Sequence, residues 1–429
     1  MSYLEILKLA LPETILALTV LLVLAVDLGV MRLQTVGRRM TVAAGITCAG
    51  CVAAIWGVLA LPQPASLLDG MWVVDGLTRF IKPVLLLLTV ATALLSLESR
   101  FTTHVGEYFA LLLLATIGLM FMVSTEQILM IFISLELTSL SLYILTAFSK
   151  ASISSSEAAL KYFLFGGMSA AFLLFGLSLI YGVTGATRLT QIAAHLKAPG
   201  LDPLVMVGIA MTVIGLGFKI AAVPFHLWAP DVYQGAPTSS AALIASGSKV
   251  ASFFLLAKVM VIGFNGVEGS GAWHGFIAGW APLLAIMAAL SMVLGNVAAI
   301  AQVSVKRLLA YSAIAHAGYM LLGLLADNQQ GFSSLIYYVT IYGLTTVGAF
   351  GIVAIVAENI GDDKLANFAG LSRRAPMLSL CMLVFMLSLA GIPPLAGFFG
   401  KFYLFTAVLG SDSGNMGLLW LVILATPLR

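Results

Sequence analysis

Four ionisable side chains stand near the centres of long apolar runs: Glu136 in IFISLELTSLSLY, Lys219 in GLGFKIAAVPF, Lys249 in LIASGSKVASFF and Lys401 in GFFGKFYLF. On insertion scales a charge at the middle of a bilayer costs roughly 2.5–3.5 kcal/mol, so the set left uncompensated would cost about 10–14 kcal/mol, comparable with the stability of a typical domain. Such groups must be paired, hydrated or partly neutral. Glu136 is the one carboxylate that reads clearly as mid-membrane, so a Glu136–Lys219 ion pair is expected. Lys249 and Lys401 have no carboxylates of their own in view. A lysine held away from water gives up its proton more readily than in solution, so a row of them reads as proton carriers.

Other ionisable residues are weaker candidates. Lys161 follows Glu157 by one helical turn, and His226 is a histidine inside an apolar span that can exchange a proton near neutrality. His316 fits a histidine hydrogen-bonded to a carbonyl or water better than a relay. Lys258 lies close enough to a helix end to snorkel to the interface. Asp231 and Glu107 fit solvated helix ends. His226 and His316 could in principle ligate a haem, but they belong to separate halves of the chain.

The element that must position these groups is GLGFKIAAVPFHLWAPDVYQGAPT, Gly215 to Thr238. Pro224 lacks the N–H that Ile220 needs for its carbonyl, and Pro230 does the same to His226. A helix must open there, which a membrane tolerates only inside protein or beside a wet cavity. A second stretch, LSLAGIPPLAGFFGKFYLF, repeats the device: Pro393 and Pro394 free the carbonyls of Leu389 and Ala390.

Composition fixes the setting. Hydrophobic residues make up 61% and charged residues 9%, with a mean hydropathy of +1.08, against roughly 25% charged residues in soluble domains. The chain is a polytopic membrane protein. A net charge of +3 gives no reason to expect nucleic acid. The start lacks a basic region and a cleavage site and is read as a retained first helix. Cys48 and Cys51 form a CxxC inside TVAAGITCAGCVAAIW, where small residues packing in a helix explain them better than a metal. There is no phosphate loop, no dinucleotide fingerprint and no cluster of four cysteines, so ATP, NADH and electrons must be handled elsewhere.

Spans of about 20 apolar residues are expected near 4–29, 40–61, 72–97, 107–123, 125–148, 157–183, 203–229, 238–263, 275–301, 305–326, 331–357 and 376–409. Leu189, Ile192, Ala193 and Leu196 recur at helical spacing between two of them, as in a short interfacial helix. The run MGLLWLVILA near the C-terminus is half a span and reads as a curtailed thirteenth helix.

The chain repeats itself. ALKYFLFGGMSAAFLLFG from Ala159 aligns with SLIYYVTIYGLTTVGAFG from Ser334, pairing Leu160 with Leu335, Tyr162 with Tyr337, Phe175 with Phe350 and Gly176 with Gly351; Tyr143 pairs with Tyr319 one residue out of that register. Five spans separate equivalent helices, an odd number, so the units must be inverted. The expected architecture is all-α: three N-terminal helices over 1–106, a first inverted five-helix unit over 107–263, and a second over 275–429 curtailed in its last helix, each unit with a broken helix. Inverted repeats with broken helices belong to ion-coupled transport.

With Glu136, Lys219, Lys249 and Lys401 go four distinctive motifs: ALKYFLFGGMSA, GFKIAAVPFHLWAPDVYQGAPT, VKRLLAYSAIAHAGYMLLGL and LAGIPPLAGFFGKFYLF. Through them the chain resembles the antiporter-like subunits of respiratory complex I, most closely the subunit N branch of the bacterial proton-pumping NADH:quinone oxidoreductase. That resemblance implies fourteen helices, a hydrophilic axis along mid-membrane, Glu136 and Lys219 as a modulating ion pair, Lys249 as a central relay and Lys401 as the exit-side residue, with Lys161 and His226 carried over less directly. It implies proton translocation coupled to quinone reduction in a bacterial inner membrane. It also implies no cofactor in this chain, with NADH, FMN, iron-sulfur clusters and quinone in partner subunits, among them neighbouring antiporter-like subunits. Rival readings are a subunit of a cation/proton antiporter complex or membrane-bound hydrogenase, and a structural subunit that conducts nothing.

Alternate loops differ in charge. One set holds Arg32, Arg38, Arg39, Arg100, Lys150, Lys306, Arg307, Lys364, Arg373 and Arg374; the other holds mainly Arg188 and Lys197 beside Asp69, Glu268 and Asp327. By the positive-inside rule the N-terminus faces the periplasm. A topology reporter placed beside Arg38 and Arg39 is expected to read cytoplasmic; a periplasmic reading reverses the assignment.

Overall fold

The computed structural model of the chain describes residues 8–61, 65–97, 101–196, 202–273, 276–411 and 417–426. Ten helical runs in it are long and apolar enough to cross a membrane, and three shorter apolar helices, Pro203–Lys219, Pro376–Ala390 and Ala396–Leu409, supply the broken spans. In chain order the helices are α1 (Leu11–Ala25, extended by a π turn to Val30), α2 (Val36–Ala60), α3 (Gly76–Leu95), α4 (Val105–Ser124), α5 (Ile128–Thr146), α6 (Ile153–Thr184) and α7 (Leu189–Leu196). They continue with α8 (Pro203–Lys219), α9 (Trp228–Gly235), α10 (Thr238–Ala245), α11 (Gly247–Lys258, with a π turn to Gly263), α12 (Trp280–Ile300), α13 (Val305–Leu325) and α14 (Gln329–Ile360). The last are α15 (Leu371–Arg374), α16 (Pro376–Ala390), α17 (Ala396–Leu409) and α18 (Leu419–Ala425). Each of the twelve expected spans coincides with helix among the described residues, the starts of the first and ninth (4–7 and 275) lying outside them, and α7 buries the four residues assigned to its apolar face. Of the loop charges used for orientation, Arg100 and Lys197 lie outside the described residues, as do residues 427–429 at the C-terminus.

Two expectations need correction. The third span does not begin at residue 72, because Ala65–Leu67 pairs antiparallel with Trp72–Val74 in a small hairpin; the fold is otherwise the all-α one expected. Asp69 and Gly70 sit at its tip with φ of 54° and 84°, the left-handed pair that an Asp-Gly turn favours. Asp75 then starts α3 through a capping box with Thr78. The span over 238–263 is interrupted at Ser246 between α10 and α11. A Ser-Gly pair is a known place for a helix to bend, and Ser246 Oγ also donates to the carbonyl of Ala242 at 2.6 Å.

Membrane helices gain nothing from hiding apolar surface from lipid, so they associate through close backbone packing. At Gly176 on α6 a β-carbon would lie 2.7 Å from the carbonyl of Gly208 on α8. On α13 the same atom at Gly318 would lie 2.7 Å from the carbonyl of Ala288 on α12. The burial pattern follows: α10 and α11 form a wholly buried run, and the most apolar stretch of α13 is 83% buried, whereas that of α1 is 33% buried. Lys249 therefore stands on the central helix.

Both broken spans stop where the prolines demand. Helix α8 ends at Lys219, and residues 220–227 turn through a left-handed Ala221 (φ 53°) and a cis Val223–Pro224 bond before α9 begins. Helix α16 ends at Ala390 on a left-handed Gly391 (φ 80°), and α17 begins after Pro393–Pro394. Pro230 does not act as expected. It is the third residue of α9, where a helix leaves its N–H groups unpaired anyway, and the carbonyl of His226 accepts the Ala229 N–H at 3.0 Å. At Gly397 a β-carbon would collide with the carbonyl of Ser388 across the second break. Gly397→Ala is therefore expected to lower the stability of the purified protein by roughly 1–3 kcal/mol, read as a fall in Tm, whereas Gly37→Ala, with nothing within 4 Å, does not lower it.

Candidate functional site

The first break releases carbonyls at the end of α8, and those of Gly217, Phe218 and Ile220 find donors. Gly217 accepts the N–H of Ala222 at 3.0 Å, and Phe218 accepts the N–H of Ala221 at 3.0 Å and Trp228 Nε1 at 3.0 Å. The carbonyl of Ile220, freed by Pro224, accepts Lys249 Nζ from α11. From the other side Ser291 Oγ on α12 accepts the N–H of Val223 at 2.8 Å. The opening is thus closed by groups from three helices, one of them a buried ammonium.

Lys219 points the other way. Its Nζ donates to Ser139 Oγ on α5 and lies 5.7 Å from the centre of the Tyr143 ring and 5.6 Å from that of Phe218. The expected contact with Glu136 is not made: Glu136 is half-buried and bears on Lys219 through its charge, without ion-pair contact. Ser139 follows Glu136 by one turn of α5 and stands nearer the end of α8, so it takes the hydrogen bond.

The second break mirrors the first in chemistry. Lys401 Nζ donates to the carbonyl of Ala390 at 3.1 Å, one of the two carbonyls that Pro393 and Pro394 were expected to free, and lies 4.7 Å from the Tyr319 ring centre. Between the breaks sits His316 on α13, 4% exposed, with Nδ1 2.6 Å from Tyr338 Oη. The charges of both Lys401 and Lys249 reach it. The order across the protein is therefore Glu136, Lys219, Lys249, His316, Lys401. A cavity of about 390 Å³, whose walls include Asn296, Ser312, His316, Tyr319, Ala390 and Lys401, opens beside the last two.

Other candidates fall elsewhere. Lys161 is 40% exposed and ion-paired at 2.7 Å to both Glu157 and Asp231, away from the row. Asp231 is not simply a solvated helix end, because it also holds Arg307 of α13 at 2.8 Å. His226 is buried with Nδ1 lacking a hydrogen-bond partner, and no hydrogen bond joins it to the lysines among the described residues. Lys258 does not snorkel: it is 4% exposed and donates to the carbonyl of Val123 at 3.2 Å. Two further carboxylates are withdrawn from water, away from mid-membrane: Glu13 pairs with Lys82 at 2.7 Å and Asp27 with Arg39 at 2.6 Å, both carboxylates nearly inaccessible. Glu13 and Asp27 lie near opposite ends of the first span, where sequence alone reads a charge as solvated; a basic residue from a neighbouring helix covers each.

A family model described as NADH:quinone oxidoreductase/Mrp antiporter, TM matches residues 125–426, a stretch that contains the whole row. The chain belongs to this family. Within it, NADH-quinone oxidoreductase subunit N 2 of Acidobacterium capsulatum is 55% identical over 99% of this chain and 87% of its own length. NADH-quinone oxidoreductase subunit N of Desulforamulus reducens is 43% identical over 83% of this chain and 72% of its own. Among solved structures, a chain of respiratory complex I from Thermus thermophilus superposes with a TM-score of 0.76 at 35% identity, covering 97% of this chain and 86% of that one. A chain of the Mrp complex from Dietzia superposes with a TM-score of 0.80 at 22% identity, covering 98% and 78%, and shares the fold.

In this antiporter-like subunit the described residues contain no group of three His, Cys, Asp or Glu that could hold a metal ion, and Lys219, Lys249 and Lys401 meet carbonyls, a hydroxyl and rings instead. Sequence reasoning passed over Ser139, and it read His316 as hydrogen-bonded to a carbonyl or water, whereas its partner is Tyr338 Oη. The signal for Ser139 was a small hydroxyl one turn from Glu136; for His316 only the fold could supply its place between two lysines. Ser139→Ala leaves the Lys219 amine without its acceptor and is expected to cost about 1.5–3 kcal/mol, as for a hydrogen bond to a charged group. The check is thermal unfolding of the purified complex, with Ser139→Thr recovering most of the loss.

Proposed function

We propose that this subunit moves protons across a bacterial inner membrane through Glu136, Lys219, Lys249 and Lys401, driven by quinone reduction in other subunits of the NADH:quinone oxidoreductase. The observation that carries the reading is the row itself. Lysines at both helix breaks, with a third on the central helix, bind carbonyls or hydroxyls that suit either the ammonium or, after rotation, the free amine. A static scaffold has no use for such a series, because replacing buried ions by apolar side chains is often neutral or stabilising.

Proton movement follows from the contacts. A change of charge at Glu136 alters the hold on the Lys219 proton. An N–H bond at Lys219 breaks as one forms at Lys249, and the charge next reaches His316 and Lys401. The cavity beside Lys401 offers the wet end of this route. Raising one proton against 100 mV takes about 2.3 kcal/mol, which redox steps in partner subunits supply. NADH, FMN, iron-sulfur clusters and quinone belong to those partners, and adjacent antiporter-like subunits continue the row. The 55% identity to a subunit N over nearly the whole chain favours this assignment over a cation/proton antiporter complex.

The inverted units, 107–263 and 275–429 behind three helices over 1–106, are part of the same proposal, with the N-terminus in the periplasm. Two correspondences support it. Tyr143 and Tyr319, partners in the sequence repeat, each lie under a lysine of a break. Helices α6 and α14 are each 32 residues long and end on left-handed glycines, Gly185 and Gly361, 176 residues apart (361 − 185).

Lys219→Arg separates a relay from a fixed charge, since arginine keeps its charge at any accessible pH. In membrane vesicles both Lys219→Arg and Lys219→Ala are expected to assemble and to lose most proton translocation. If Lys219→Arg assembles and pumps like the parent, the deprotonation step assigned to Lys219 is wrong.

A further inference from the structure

Apart from the mid-membrane row there is a second ionisable cluster, towards the loops opposite the basic face. Glu13 of α1 and Lys82 of α3 meet at 2.7 Å with 3% and 1% of their side chains exposed. Glu13 Oε2 has no hydrogen-bond donor. The hairpin covers the pair, with the Trp72 ring centre 5.4 Å from Lys82 Nζ. Lys258 donates to the carbonyl of Val123 at 3.2 Å, three residues before Glu126, and the charges of Asp75, Glu126 and Lys82 all reach it. Glu126 is 12% exposed and leads outward through Arg188 at 3.6 Å, which also faces the exposed Asp69 at 3.7 Å. Lys258 shares the central span with Lys249, nine residues further along (258 − 249), about 13.5 Å at the rise of a helix.

We propose that Lys258 and Glu126 form a proton branch from Lys249 to the face opposite the basic loops, and that the Glu13–Lys82 pair sets its electrostatics. The proposal rests on the reading of Lys249 as a relay. A proton leaves the Lys249 ammonium, crosses the gap through water and forms an N–H bond at the Lys258 amine. It then passes to the Glu126 carboxylate as an O–H bond and leaves to water at the surface. Glu13 neutralises Lys82; without it the unpaired Lys82 ammonium, whose charge reaches Lys258, opposes protonation there.

The test uses the whole complex in vesicles and measures protons moved per electron transferred, with Lys249→Met as the reference. Lys258→Met is expected to lose part of the ratio, a smaller fraction than Lys249→Met. Glu13→Gln is expected to lose it as well, and Glu13→Gln with Lys82→Met to recover it, which a purely structural role for the pair does not produce. If Lys249→Met lowers the ratio while Lys258→Met keeps the parental value, the branch is overturned. If Lys249→Met itself keeps the parental value, the relay reading fails and takes the branch with it. Should Lys258→Met not assemble, Lys258→Arg carries the same test, because arginine holds a charge there and passes on no proton.

Discussion

A helix opened inside a bilayer leaves backbone carbonyls that lipid cannot satisfy, and the rest of this structure depends on how they are answered. At the first break Lys249 reaches across from the central helix to Ile220; at the second Lys401 reaches back to Ala390. Each lysine offsets two costs together, its own withdrawal from water and the orphaned carbonyl. The same contact keeps the amine at a fixed place where its proton can be exchanged. Stability and chemistry therefore rest on the same atoms, and the helix breaks and the lysines have to be understood as one arrangement.

The aromatic and hydroxyl groups around these contacts serve that arrangement. Tyr162 stacks on Trp228 with ring centres 4.5 Å apart, and Trp228 in turn donates to the carbonyl of Phe218, so the turn between α8 and α9 is packed as well as hydrogen-bonded. On the other side His316 is surrounded by the rings of Tyr319, Tyr338 and Tyr342, with centres 5.1–5.8 Å away. At the basic face Asp231 holds Lys161 and Arg307 together, joining α6, α9 and α13 through a partly exposed ionic contact. Such pairs are individually weak in water; here the contact ties the second segment of the broken span to two neighbouring helices.

Sequence reasoning read the spans, both breaks and the buried lysines, because an apolar run and a missing proline N–H act locally. It did not read which amine would take which carbonyl. Lys219, adjacent in sequence to Ile220, gave way to Lys249, since that choice is made by the packing of α11 against α8. The Glu136–Lys219 contact failed for a similar reason: one turn of α5 decides between a carboxylate and Ser139. Glu13 and Lys82 escaped notice because each lies near a helix end, and only the Trp72 hairpin, signalled by Asp69-Gly70, removes them from water. Lys258 was mistaken for a snorkelling residue because the carbonyl that receives it belongs to α4, far away in sequence.

The buried central run has a consequence for how the protein is made. Thr238–Gly263 has the lowest mean hydropathy of the ten spans, 1.5, and is the one completely enclosed by protein. It carries Lys249 and Lys258, whose partners lie in the break just after α8 and on α4. When this segment leaves the ribosome, α4 and the first half of the broken span have already been synthesised, whereas α14, which packs along it, has not. Biogenesis therefore has to shelter a poorly lipophilic, twice-charged helix until the second half of the chain arrives, and the early amine–carbonyl contacts provide the first part of that shelter.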